Sequence, residues 1–445
     1  MPDLLDLCAT AVRAARNGEA VEAYAEETRR TEAEARGAEI EGLTFAESRG
    51  LGVRLISGGR LGFAYAADPS LEETREAVAR ARENAALATE DEHNVLPSGR
   101  PWESVEGLYS EEQAAMATDR KVALALELER AATSADPRVR RVEACTFGDA
   151  VARVALSSTA GVNAEFRRTG CWAVAVTLAE EGEDTQTGFS FRVAHRVEDL
   201  DPEEVAREAA ARAARLLGAA KPETQRVPVL LDPFAASSFL GVLAGALSAE
   251  AVQKGRSLFA ELVGEQVGSE AFTLVDDGRL VAGPAASPFD DEGVPTGRTE
   301  LFTHGVLNGF LHNTYTAARG GTVSTGNGER AGYRSTPGVG TTNFYVEPGS
   351  DGFEELLGRA EGGVLIQDVS GVHSGANPIS GEFSVGATGL RISGGALGEP
   401  QREMTIASTV PEMLRAVEAV GDDLRFFTSV GTPSILIGEM TLAGV

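Results

Sequence analysis

Three cysteines, three lysines, two tryptophans and five histidines in 445 residues leave this chain short of the side chains on which several chemistries depend. Cys8, Cys145 and Cys171 are far apart and form no C-x-x-C pair. That excludes a disulfide framework or a zinc knuckle and suits a reducing cytoplasm. Long apolar runs are missing too. The longest uncharged stretch, residues 233–249, is rich in Ala, Gly and Ser. It falls short of the roughly 18–20 strongly apolar residues of a spanning helix, so a buried or partner-facing helix is expected there. Asp3 and Asp6 stand where a signal peptide would need positive charge before an apolar run. A soluble, cytoplasmic protein without a membrane role is the expectation.

Basic charge is scarce relative to acidic. A formal charge of −27 with no basic stripe argues against nucleic acid as a partner, because a polyanion is repelled. Lys121, Lys221 and Lys254 are the only lysines, so the cations are nearly all arginine. That bias fits genome composition better than function. Several nucleophile signatures are absent as well: no Gly-x-Ser-x-Gly elbow, no Ser-x-x-Lys, and no cysteine beside a plausible base. The run Ser324-Thr-Gly-Asn-Gly-Glu-Arg330 has neither the spacing nor the lysine of a phosphate-binding loop. Its glycines are explained by a turn.

The length calls for two or three domains, and 42% hydrophobic with 24% charged residues is ordinary for globular chains. Residues 3–16 read as an amphipathic helix and residues 20–47 as extended. Leu51 to Ala66 reads as a hairpin turning at Gly58-Gly59. Ser70 and Glu73 have capping-box spacing. A helix over 111–133 and long antiparallel strands over 138–198 follow. Asp201-Pro202-x-Glu204 opens another helix. The polar stretch from Lys221 marks the main boundary, beyond which glycine, proline and strands dominate and helices are confined to about 233–265, 351–359 and 410–420. The expected fold is α+β, with a mixed α/β N-terminal half and a β-rich, mostly antiparallel C-terminal half. The expected domains are 1–110, 111–222 and 223–445.

Long stretches resemble the TldD/PmbA family of metalloproteases. They are Glu47-Ser-Arg-Gly-Leu-Gly-Val-Arg-Leu55, Pro228-Val-Leu-Leu-Asp-Pro233, Phe289-Asp-Asp-Glu-Gly-Val-Pro-Thr-Gly-Arg-Thr299, His304-Gly-Val-Leu-Asn-Gly-Phe-Leu311, Ser324 to Arg330, Thr342-Asn-Phe344 with Glu347-Pro-Gly349, and Ser370 to Gly389. They span almost the whole chain in the family's order.

The resemblance implies two kinds of member. TldD-like chains carry His-Glu-x-x-x-His on a helix and a cysteine near the C-terminus as metal ligands, whereas TldE-like (PmbA) chains lack them and pair with a TldD chain. In the present sequence, Ala260 and Glu265 stand at the histidine positions around Glu261, and no cysteine follows Cys171. Catalytic zinc normally takes three protein ligands and an open position for water. On a helix, positions four or five apart lie near one face and can grip one ion. Alanine offers no donor, and Glu261 alone is a vestigial base without a metal-bound water.

The resemblance therefore implies a TldE-like subunit of a cytoplasmic metallopeptidase acting on unfolded peptides. Zinc is expected in a TldD-like partner and not in this chain. His373, Asn377 and His304 are candidates for lining a peptide cleft. Two alternatives stay open. One is a self-contained peptidase or hydrolase using Glu261, Glu265 or a substitute cluster of His304 and His312 with Asp290, Asp291 and Glu292. The other is a non-enzymatic homodimeric peptide-binding protein. For the substitute cluster, the plainer account is a loop of carboxylates beside two strand histidines with ordinary hydrogen bonds.

Overall fold

The computed structural model describes residues 2–444. Its N-terminal half is built on one six-stranded antiparallel sheet of unusually long strands: β1 (Glu19–Arg36), β2 (Glu39–Ser57), β3 (Arg60–Ala67), β4 (Val139–Ser158), β5 (Asn163–Glu181) and β6 (Asp184–Ala194). Their order is β3-β2-β1-β4-β5-β6. Because β1 pairs with both β2 and β4, strands from either side of position 110 share one sheet. Gly58 and Gly59 turn the β2–β3 hairpin at φ 57° and 74°, angles that a side chain would oppose.

Five helices cover one face of this sheet: α1 (Leu4–Arg13), α2 (Leu71–Leu87), α3 (Glu111–Ala114), α4 (Thr118–Ala135) and α5 (Pro202–Ala214). The helix expected over 111–133 is thus two helices, separated at Ala115–Ala117. Caps set the starts. Ser70 and Glu73 close a reciprocal capping box on α2. Asp201 caps α5 ahead of its N1 proline.

The buried faces of α2 and α5 are rich in alanine (Ala77, Ala81 and Ala85; Ala206, Ala209, Ala210 and Ala213). Small residues let each helix backbone lie close to an edge strand. A Cβ at Gly62 of β3 would stand 1.9 Å from the Ala81 carbonyl oxygen, and one at Gly188 of β6 would stand 2.1 Å from that of Ala209.

The C-terminal half holds two further six-stranded sheets. One contains β7 (Gln225–Leu231) with Val364–Ser370, Glu382–Ser393, Ala396–Thr409, Val417–Val420 and Ile435–Gly444. The other contains β8 (Leu274–Asp277), β9 (Arg298–Thr303) and β10 (Val306–Leu307) with Phe344–Val346, Arg425–Phe426 and Val430–Thr432. Pairing is antiparallel except between β7 and Val364–Ser370 and between Phe344–Val346 and Val430–Thr432. The α+β expectation holds. The uncharged stretch forms α6 (Pro233–Ala246), whose Phe239, Leu240 and Leu243 are fully buried in the core with Phe383.

Helix is shorter here than the sequence suggests. Between α6 and residue 267 only Ala249–Gln253 is helical, and residues 258–267 form turns. Near 410–420, Val410–Arg415 is helical but Val417–Val420 is a strand.

The glycine contacts yield opposed expectations. Gly188→Ala should destabilise by about 1–3 kcal/mol, because its Cβ meets helix backbone that cannot step aside. Gly241→Ala, at an exposed α6 position with open space around it, should stabilise by roughly 0.5–1 kcal/mol. Urea unfolding of the two variants checks both signs.

Candidate functional site

The segment over 258–267 is anchored by Phe259, which is fully buried and packs edge-to-face on Phe302 at 5.8 Å. Its backbone then runs beside β10. Gly264 N–H donates to Leu307 O (2.7 Å), Leu307 N–H donates to Glu265 O (3.1 Å), and Gln266 bridges Val306. Gly264 sits at φ 87°. Amides engaged across to a strand cannot close helical turns, and this is why the expected helix does not form. Ala260, Glu261 and Glu265 are all exposed on these turns. The helical geometry that would aim two ligands at one ion is therefore missing, together with the imidazoles themselves. These residues do not fit a zinc site.

The candidate cleft residues border the same region. Gln266 Nε2 donates to the His304 carbonyl (2.8 Å) and to Gly268 O (2.7 Å). His304 lies in the β9–β10 turn at φ 48°, exposed, with Nδ1 3.1 Å from Glu270 O, so it is a turn residue and not the expected strand histidine. His373 is exposed on the single helical turn Val372–Gly375. Asn377 accepts from the amides of Ile379 and Ser380, which shapes that loop. Leu258, Leu262, Phe310, Val372 and Ala376 are half-buried and pack against the C-terminal core. Val263 and Ile379 are 51% and 53% exposed. The arrangement is an apolar shelf with hydrogen-bonding loops.

The acidic run lies elsewhere, engaged with arginine and backbone and not with imidazole. Asp290 accepts from the amides of Glu292, Val294 and Gly328, and Asp291 accepts from that of Arg330. Glu292 accepts from Arg54 (2.8 Å) and from Thr314 N–H (2.7 Å). Arg54 also binds Glu22 (2.7 Å), whose other oxygen accepts from Arg330. All four charged side chains are buried. His312 is in a loop, not a strand. Its Nδ1 has no partner, and burial lowers its proton affinity. Among the described residues no three His, Cys, Asp or Glu side chains converge as an ion-binding group.

Above this cluster is a cavity of about 260 Å³ lined by Tyr24, Asp291, Asn327, Glu329, Arg330 and Thr342, among others. Behind it, Asp276 accepts from Asn327 Nδ2 (2.7 Å) and from both the amide (2.8 Å) and the hydroxyl (2.7 Å) of Thr342. Burial raises Asp276 and Asp291 to about 6. Asp290 is pushed well above the carboxylate range by burial and by the neighbouring Glu292. Burial also raises all three cysteines, Cys145 and Cys171 to about 12, so they persist as thiols and not as nucleophiles. Glu22, Arg54 and Arg330 escape a search for catalytic motifs. The available signal for Arg54 is a lone charge inside the apolar run Leu51–Ile56.

Domain profiles of PmbA/TldA metallopeptidases match residues 21–85 (domain 1), 111–217 (central domain) and 224–444 (C-terminal domain). The metalloprotease PmbA of Escherichia coli O157:H7 is 26% identical over 413 residues, covering 91% of this chain and 88% of that one. TldE from Thermococcus kodakarensis superposes with a TM-score of 0.89 at 25% identity, covering 98% and 99% of the two chains. A Thermotoga maritima protein described provisionally as a modulator of a DNA gyrase gives 0.90 at 29%, covering 98% of each.

Asp276 sets a pH expectation. Its folded pKa is raised, so the folded chain holds this proton up to about pH 6 whereas the unfolded chain releases it near 4. The contribution of Asp276 to stability therefore declines as pH rises through that window. In Asp276→Asn this titration is gone. The unfolding free energy of wild type minus variant should fall by about 1–3 kcal/mol between pH 4 and 7, measured by urea titration, and a flat difference would refute the assignment.

Proposed function

We propose a role from one premise: this chain belongs to the PmbA/TldD metallopeptidase family, and within it acts as a metal-free, TldE-like subunit. The observation that carries this reading is the turn at Ala260–Glu265, which has neither a helix nor imidazoles. Likeness to the Thermococcus TldE supports it. In this proposal a TldD-like partner holds zinc, the activated water and the general base, and the assembly works in the cytoplasm on unfolded peptides. Among the described residues no helix is long and apolar enough to cross a membrane.

The chain's own residues would bind and orient. The shelf of Leu258, Leu262, Phe310 and Val372 offers apolar contact, and the loops bearing His304, His373 and Asn377 offer hydrogen bonds beside it. Contact through backbone and generic apolar surface suits extended chains of varied sequence.

The test is reconstitution. Purified chain alone should leave a casein-like unfolded substrate intact. Addition of a TldD-like protein should restore cleavage that a chelator abolishes. Glu261→Gln in this chain should leave the activity of the pair within a few-fold. Loss of roughly 10²–10⁴-fold, the cost of deleting a general base, would contradict the proposal, as would stoichiometric zinc and cleavage by this chain unaccompanied.

A further inference from the structure

At one end of the N-terminal sheet lies a cavity of about 580 Å³, bounded by the β1–β2 turn, α4, and strands β4 and β5. Its lining runs against the charge of the chain. Forty lysines and arginines stand against 67 acidic residues overall, yet this wall holds Arg36, Arg130, Arg140 and Arg141 against one carboxylate, Glu129. Arg36 is paired with Glu41 (3.3 Å) and Arg141 with Glu180 (2.6 Å). Among the described residues Arg130 and Arg140 have no carboxylate partner, so their charges are free for a ligand.

Two local features build this wall. In a regular strand Arg140 and Arg141 would face opposite sides of the sheet. Val139 pairs with Ala179 and Arg141 with Leu178, so Arg140 is an extra residue in β4, and this bulge lets both arginines border one cavity. Another wall is the β1–β2 turn, where Ala38 takes φ 63°, a conformation that L-residues resist. Glu129 holds it there, both carboxylate oxygens accepting from the Ala38 amide (3.1 and 3.0 Å). The one acid of the lining is thus engaged with backbone.

The rest of the lining is largely aliphatic. Leu126 and Leu178 are half-buried and Val142 is buried. No aromatic ring lines the cavity, so a nucleobase would find nothing to stack on. The Thr133 hydroxyl donates within α4, to the carbonyls of Glu129 and Arg130 (3.0 and 3.2 Å). Guanidinium forks match the oxygens of a carboxylate or phosphate. Leucine and valine match a methylene chain.

We propose that this cavity binds a free aliphatic anion, with a carboxylate or phosphate head on Arg130 and Arg140 and a chain of several methylenes on Leu126, Val142 and Leu178. The same head chemistry occurs on anionic lipids, but a chain carrying −27 is repelled by a surface of like charge, so the ligand is a dissolved molecule. This inference does not depend on the metal question, and its failure leaves the TldE-like reading untouched.

Isothermal titration calorimetry of the full chain with octyl phosphate, kept below its micelle concentration, tests it. Wild type should bind with a dissociation constant below about 1 mM. Arg130→Gln and Arg140→Gln should each weaken binding about tenfold, with an unchanged thermal melt, since both side chains are exposed. Octyltrimethylammonium should not bind, and inorganic phosphate should bind about tenfold more weakly or worse, because it leaves the aliphatic lining uncovered. Vesicles of anionic phospholipid should fail to pull the chain down, and their doing so overturns the choice of a dissolved ligand. No binding of octyl phosphate, equal binding of the cation or of inorganic phosphate, or arginine variants that bind like wild type overturns the proposal.

Discussion

The buried ion network of Glu22, Arg54, Glu292 and Arg330 is the constraint on which the rest of the structure turns. Glu22 and Arg54 belong to the N-terminal sheet, while Glu292 and Arg330 belong to the C-terminal half. Two arginines and two carboxylates balance formally. Each carboxylate uses both oxygens, Glu292 taking the Thr314 amide with its second. Such a cluster adds little net stability over apolar residues of equal volume, yet loss of one member strands a buried charge at about 3–5 kcal/mol. Its effect is to permit one docking of the two halves. A sliding apolar interface would permit several.

The neighbouring aspartates follow from that docking. Asp290 is buried and Asp291 half-buried where the two halves meet, and burial raises the proton affinity of both, with Glu292 adding to the effect on Asp290. Perturbed carboxylates in a cavity often mark catalysis. In this chain every oxygen of Asp276 and Asp290 is occupied by amide, hydroxyl or side-chain donors. Their geometry is that of loop-holding groups. Asp290 ties the 285–295 loop to the 324–343 loop through the Gly328 amide, and Asp276 holds the second loop at Asn327 and Thr342.

Much of this was legible in the sequence, for identifiable reasons. The Ser70 and Asp201 caps, the Gly58-Gly59 hairpin and the long strands over 138–198 are local signals and read locally. What failed to read was set by distant partners. Residues 258–267 have helical composition, but β10 captures their amides from some forty positions downstream. Asp290, Asp291 and Glu292 look available to histidines nearby in sequence, and instead find Arg330 and, across the molecule, Arg54. Ala260, by contrast, needed no structure, since a methyl group carries no lone pair in any fold.

β2 connects these threads. Its inner half carries Arg54, which the network fixes against Glu292, and its register with β1 continues unbroken from Gly42 to Ser57. A pleated strand pinned at one end in this way presents its outer half at a set angle to the C-terminal half.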